Sequence, residues 1–497
     1  MYNNLNKLIA IKLKHTLIRN SLFGSGGFVF ISLVGLIITP FLVTNFGLEQ
    51  YGIYILITSI FGYYGIFSFG LGQGLIKFVS EFKSKNLDRE VNDAVNSVFL
   101  THLIIGFILS CCIYQFSDKI IFLFNVSTTF FEDAVISLQV AALGFFFSML
   151  ASTYSSALRG LELYGGVTVI DSISNLALNL LLLIVLMFNY GIKEAVWVNV
   201  FIAFIQLFTY SILFKKNLKS YYFRIRFNVK IITKFLSFTL YLFLSRISNI
   251  FATYVVRFVI SFFLGPSAVT FYVVPAKLLG AIGGVLSSAA NAIFPYTSRL
   301  AALGQQDEIK RSFLKSNLIF AGISFPILMV VSLFAKPIMT FWMGTDFAEE
   351  SWIILSIISL SGIIGSLTTI PNLVLLGLGN SKLIGIFSGI TIASYITFLP
   401  LLTQQFGLVG ASVALLITSF IVIGFVMTKT TQVIGLKLSQ FVNKVYRIHF
   451  IPIITFIFAY LFVRMFLPEG NTIQLAFGMG LCAFYYLYLF KQKVLFV

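Results

Sequence analysis

Charge is scarce in this chain. Only 10% of its 497 residues are Asp, Glu, Lys or Arg, against about 25% in a soluble chain. A water-soluble globule of this length would lack the polar surface to cover itself. Cysteine is scarcer still: Cys111, Cys112 and Cys482 all sit in apolar runs. That excludes a disulfide framework and a CxxC zinc site. Cys111 and Cys112 read as small hydrophobes facing lipid or the core. The three His (His15, His102 and His449) are scattered and form no HExxH, and no GxxxxGK(S/T) occurs. Neither a metal centre nor an ATPase site is therefore expected. No loop exceeds about 20 residues, the length of a single membrane crossing, which leaves no room for a soluble catalytic domain.

What is present is apolar: 58% of the residues, in long runs. At about 20 residues per crossing, that is enough for about fourteen transmembrane helices. Long runs without alternation disfavour a β-barrel. The expected spans are 20–44, 52–76, 94–115, 134–157, 166–188, 195–214, 235–264, 271–297, 316–335, 352–376, 383–403, 408–428, 448–467 and 473–490. The basic stretch before Leu22, with Lys7, Lys12, Lys14 and Arg19, is expected to lie on the membrane as an interfacial helix and not to be cleaved.

The formal charge is +17, and its placement argues against nucleic acid as a partner. With these spans, 27 of the 34 Lys and Arg fall in loops on one side, 4 (Lys119, Lys193, Lys336, Arg464) on the other, and 3 inside spans. Such an asymmetry predicts both termini in the cytoplasm.

The two halves carry matching landmarks. GLEQYGIY from Gly47 to Tyr54 follows span one, and GPSAVTFY from Gly265 to Tyr272 follows span seven, at an offset of 218. Tyr190-Gly191 and Phe406-Gly407 precede spans six and twelve; Arg159-Gly160 and Leu378-Gly379 open spans five and eleven. The expected architecture is all-α: two parallel six-helix lobes related along the membrane normal, plus two C-terminal helices. The corresponding segments are 1–19 (basic N-terminus), 20–214 (first lobe), 215–234 (basic linker), 235–428 (second lobe) and 429–497 (last two helices).

Ionisable residues within the bilayer cost about 2.5–3.5 kcal/mol each on insertion scales, so they call for a function. Arg246 and Arg257 in span seven are eleven residues apart, close to three helical turns, which predicts one shared polar face with Asn249 and Thr253. Lys277 in span eight is expected at similar depth to Arg257, with Arg19 and Arg299 at the cytoplasmic mouth. Guanidinium groups suit bidentate phosphate binding, so an anionic, phosphate-bearing substrate follows. Arg257 or Lys277 snorkelling to the interface is the competing reading. Asp171, on a stripe with Asn175 and Asn179 in span five, is either a coupling site for H+ or Na+ or the counter-ion of an arginine. No other cofactor is expected.

The stretch from Leu264 to Leu278, continuing to Phe294-Pro-Tyr-Thr-Ser-Arg299, resembles the polysaccharide flippase (Wzx-type) family. So do Arg19-Asn-Ser, Phe46 to Tyr54, and Gly407 to Ser412. The family belongs to the superfamily that includes MATE multidrug exporters. The resemblance implies a central cationic cavity, placed here at Arg246, Arg257 and Lys277. It implies movement of undecaprenyl-pyrophosphate-linked oligosaccharide across the bacterial inner membrane, with membrane lipid and other polysaccharide-assembly proteins as partners. Relatives often carry an acid in span seven, where this chain has Arg257. The alternatives are an ion-coupled exporter of the MATE type and a membrane polysaccharide polymerase.

Overall fold

Backbone N–H and C=O groups in hydrocarbon must be satisfied within the chain, so an apolar chain of this kind folds as helices. The computed structural model describes residues 30–224, 228–466 and 473–492, and these contain helices and no strand. The chain divides into two compact units, Met1–Arg246 and Ile247–Val497.

The first unit holds α1 (Phe30–Phe46), α2 (Leu48–Phe67), α3 (Leu71–Ser84), α4 (Asp88–Gln115), α5 (Ser117–Leu123), α6 (Thr128–Gly160), α7 (Tyr164–Met187) and α8 (Ile192–Asn217). Most of α9 (Val229–Ile250) belongs to it as well. The second unit holds a π turn at Phe251–Val255, then α10 (Val256–Leu264), α11 (Pro266–Ala290), α12 (Ile293–Ala302), α13 (Gln306–Leu333), α14 (Ala335–Met343) and α15 (Thr345–Gly377). It ends with α16 (Ser381–Ile434), α17 (Leu438–Val445), α18 (Arg447–Phe466) and α19 (Ile473–Lys491).

Eleven of the described helices are long and apolar enough to cross a membrane, or twelve if the bent pair α2–α3 is one span. The expected count was fourteen. Two features account for the difference. Phe30–Phe46 falls short of a full crossing within the described residues. Expected spans eleven and twelve run together in α16, which is broken at Gly407 (φ 60, ψ −139). This left-handed position suits glycine. A side chain at Gly410 would collide with the Leu402 carbonyl, so the chain doubles back there.

Matching helices recur at near-constant offset. α4 and α13 are each 28 residues long and start 218 residues apart; α6 and α15 are each 33 long and start 217 apart. Gly47 before α2 (φ 77, ψ 167) and Gly265 before α11 (φ 81, ψ 172) share one backbone conformation.

Lipid tails are as apolar as Leu, so close contact between small residues drives helix association here more than apolar burial does. A methyl group on Gly160 of α6 would lie 2.7 Å from Val79 Cβ and 3.0 Å from the Ile76 carbonyl on α3. A methyl on Gly377 of α15 would lie 2.7 Å from Thr297 Cβ and 3.0 Å from the Phe294 carbonyl on α12. The same tight crossing is built twice. In the first unit it sits in a core of Leu75, Phe78, Val95, Leu158 and Phe214.

The described part of the segment expected as a linker (215–234) is hydrogen-bonded into the first unit at Ser220, Tyr222 and Asn228. Asn92 Nδ2 donates to the Ser220 carbonyl at 3.0 Å, and the Tyr222 amide donates to Asn92 Oδ1 at 3.2 Å. Asn96 Nδ2 donates to the Tyr222 carbonyl at 3.1 Å, and the Asn228 amide donates to Ser97 Oγ at 3.2 Å. Beyond it, Phe235 stacks on Phe78 at 4.7 Å. The unit boundary therefore falls inside α9, later than the expected one.

Candidate functional site

Among the described residues, each unit brings sequence-predicted ionisable side chains together within its helices.

In the first unit α6 ends at Gly160, and Glu162 in the left-handed region (φ 63) reverses the chain into α7. Arg159 in the last turn of α6 and Asp171 on α7 are thereby brought together, and α8 returns to place Tyr210 beside them. Arg159 Nη2 lies 3.7 Å from Asp171 Oδ2, and the Tyr210 hydroxyl donates to Asp171 Oδ1. The cation also sits favourably at the carbonyl-rich end of α6. Asn175 Nδ2 donates to the Asp171 carbonyl and Asn179 Nδ2 to the Asn175 carbonyl, each at 2.8 Å. The expected polar stripe of α7 thus has these amide donors engaged with its own backbone. Arg159 and Asp171 are both half-exposed, at 39% and 41%. In the sequence Arg159 stands out as one of the loop cations and as part of the Arg159-Gly160 landmark, and Tyr210 carries no signal.

In the second unit Gly265 reverses the chain between α10 and α11. Arg257 stands eight residues before that turn and Tyr272 seven after it, so the two face each other at one level. The guanidinium of Arg257 also lies over the Tyr254 ring at 5.2 Å, an arrangement that stabilises a cation away from water. Tyr272 is buried, while Arg257 and Lys277 are half-buried. Lys277 lies twelve residues past Gly265, about 7 Å further along the helix than Tyr272. It is therefore deeper than Arg257, not level with it. Arg299 on α12 is exposed, its guanidinium 5.8 Å from the Tyr296 ring.

The eleven-residue spacing of Arg246 and Arg257 crosses the π turn at Phe251–Val255. A π bulge adds about one residue, or about 100° of rotation, to the helix. The single straight α face expected for the span is therefore broken at the turn. Asn249, just before it, and Thr253, within it, are exposed. Arg246 is on α9 with its side chain outside the described residues, and Arg19 lies outside them altogether. Among the described residues no group of three or more His, Cys, Asp or Glu is arranged to hold a metal ion.

The fold is shared with transporters of known structure. It is similar to the lipid II flippase MurJ in an inward closed conformation, with a TM-score of 0.74 at 16% identity, covering 95% of this chain and 99% of that one. It is also similar to an inward-facing multidrug resistance MATE transporter of the MOP superfamily, with a TM-score of 0.65 at 13% identity over 84% of this chain and 94% of that one. Together with its apolar helices, this fold defines a multi-pass membrane protein of transporter architecture. Residues 17–301 match the family described as "Polysaccharide biosynthesis protein", and the chain belongs to that family. A Shigella flexneri protein named "Putative O-antigen transporter" is 24% identical over 403 residues, 80% of this chain and 94% of that protein. These relatives are named as transporters and flippases, not as enzymes.

Proposed function

We propose that this protein moves undecaprenyl-pyrophosphate-linked oligosaccharide from the cytoplasmic to the outer leaflet of a bacterial inner membrane by alternating access. The observation that carries this reading is the family match over residues 17–301. The fold likeness to a lipid II flippase and the O-antigen transporter relative support it. The loop asymmetry, with Lys and Arg concentrated on one side, supports cytoplasmic termini.

The pyrophosphate is the group that most needs the protein, because a multiply charged anion is expensive in hydrocarbon. Arg257 and Lys277 lie within helices and supply positive charge at two depths, so the head is handed from one to the other as it crosses. Arg246 extends that path, and Arg19 and Arg299 receive the head at the cytoplasmic mouth. Arg257 resting on Tyr254 keeps the guanidinium in place while no substrate is bound. Bound anion relieves repulsion among the cations and favours occlusion. In this reading Asp171 is the counter-ion of Arg159, oriented by Tyr210, and not the coupling site.

The test is leaflet exposure of the lipid-linked oligosaccharide in cells with and without the protein. Accumulation in the cytoplasmic leaflet on depletion, relieved by the intact chain, is the expected result. Glycan reaching the surface normally, together with drug resistance conferred by the chain, would favour a multidrug exporter instead. For Asp171 the measurement is transport by Asp171→Asn across a range of ion gradients. A gradient dependence abolished in the variant would make Asp171 a coupling residue.

A further inference from the structure

We propose that a polar recess between α6 and α7 of the first unit binds the sugars of the lipid-linked oligosaccharide. The site rests on the flippase reading above and names a subsite for the glycan, where that reading placed only the pyrophosphate.

Each helix carries a polar stripe over the half next to the reversal at Glu162. On α6 the half-exposed residues Ser148, Ser152, Ser155 and Arg159 follow at spacings of four, three and four, so they share one face. On α7 Asp171, Asn175 and Asn179, also half-exposed, do the same at spacings of four. The α7 stripe does not face lipid. The exposed apolar residues of α7, Val169, Ile173, Leu180 and Ile184, centre about 150° around the helix from it. Arg159 reaches Asp171 and so joins the two stripes into one recess. Asp171 stands about 10 Å along a membrane-spanning helix. A charged pair half-exposed at that depth needs water, so the recess is wet. It closes toward the outer half of α6, where a methyl on Gly144 would collide with the Phe61 ring of α2.

The hydrogen bonds already made select the ligand. Asn175 and Asn179 each spend one amide proton on their own helix. Ser152 and Ser155 spend their hydroxyl protons on the Met149 and Ser152 carbonyls, at 2.6 and 3.3 Å. What these side chains have left is mostly acceptor oxygen. Arg159 and Asp171, at 3.7 Å, form an ion pair too long to be a hydrogen bond. The pair therefore leaves guanidinium donors and Asp171 Oδ2 uncommitted to each other, while Tyr210 fixes Oδ1. The recess is thus neutral overall, rich in acceptors, and supplied with one fork of donors. Sugar hydroxyls, which donate and accept in adjacent pairs, match it. A phosphate would be repelled by Asp171 and the acceptor oxygens, and a metal cation by Arg159.

The test measures binding of two probes to the full chain in nanodiscs. One is lipid-linked oligosaccharide purified from cells depleted of the protein; the other is undecaprenyl pyrophosphate without sugar. The parent should bind the first about tenfold more tightly, the scale of one or two net hydrogen bonds. Asn175→Leu should weaken the oligosaccharide probe by about fivefold, and Ser152→Leu, which fills the recess from the other helix, by a similar factor. Asn175→Leu combined with Asn179→Leu should bring the two probes within about twofold of each other. Unchanged affinity for undecaprenyl pyrophosphate reports that the variants are folded, and Arg257→Ala should weaken both probes alike. Equal affinity of the parent for the two probes, or losses in the recess variants that are the same for both, would overturn the glycan subsite and leave the flippase reading standing. A parent that binds neither probe would overturn both.

Discussion

The two halves of the molecule share a scaffold and differ in chemistry. Counting from the matched glycines, Arg257 corresponds to Thr39, each eight residues before its glycine, and Lys277 to Ser59, each twelve after. Thr39 and Ser59 donate their hydroxyls to the carbonyls of Gly35 and Ile55, at 2.7 and 2.6 Å. Their helices absorb them without charge. The reverse holds for the other cluster. Arg159, Asp171 and Tyr210 correspond to Leu376, Ser388 and Val426, counted from Gly160 and Gly377 and from Gly191 and Gly407. Leu376 and Val426 belong to an apolar cluster with Leu375, Ile384 and Phe387. Helix length and the Gly160 and Gly377 crossings are features a lobe cannot lose, because a backbone carbonyl stands 3.0 Å from any added carbon. Charges are features one lobe can carry alone.

The largest expected effect tests that asymmetry directly. Arg257→Ala should lower oligosaccharide transport by about tenfold or more, the scale of a lost charged hydrogen bond, while Thr39→Ala changes it less than about twofold. Leaflet exposure at equal protein level is the measurement, and similar losses in both variants would mean the pair is not functionally divided. Next come the shared crossings. Gly160→Ala and Gly377→Ala should each destabilise by about 1–3 kcal/mol through overpacking, read from thermal unfolding in detergent. If one is tolerated and the other is not, the crossings are not equivalent. A smaller effect is expected at the polar cluster. Asp171→Asn should cost about 0.5–1 kcal/mol, because the pair is half-exposed and screened. Ser388→Ala, which removes only a hydroxyl bonded to its own helix, should cost less than about 0.5 kcal/mol. The smallest concerns Lys336 and Glu349, paired at 2.8 Å. A double-mutant cycle with Lys336→Gln and Glu349→Gln should give a coupling of about 0.2–1 kcal/mol that fades in high salt.

Much of this scaffold was legible in the residues. Long apolar runs mark helices because hydrocarbon leaves the backbone no other choice, and the pair Gly47 and Gly265 revealed the duplication because both hold a φ that other residues avoid. What escaped was whatever depends on more than one helix. Arg159, Asp171 and Tyr210 meet only because two reversals of particular length bring three helices into register. The π turn at Phe251–Val255 has no compositional mark, so a count in steps of 3.6 residues ran through it. The binding of Ser220 and Tyr222 to α4 depends on Asn92 and Asn96 being four apart on a face that the sequence alone does not single out.

Those two asparagines bear on how the protein can be handled in the laboratory. The stretch between the halves is where an engineer would first insert a tag, a protease site or a split point. Here its amides and carbonyls are already committed to α4, so an insertion at 220–224 pulls apart a finished joint.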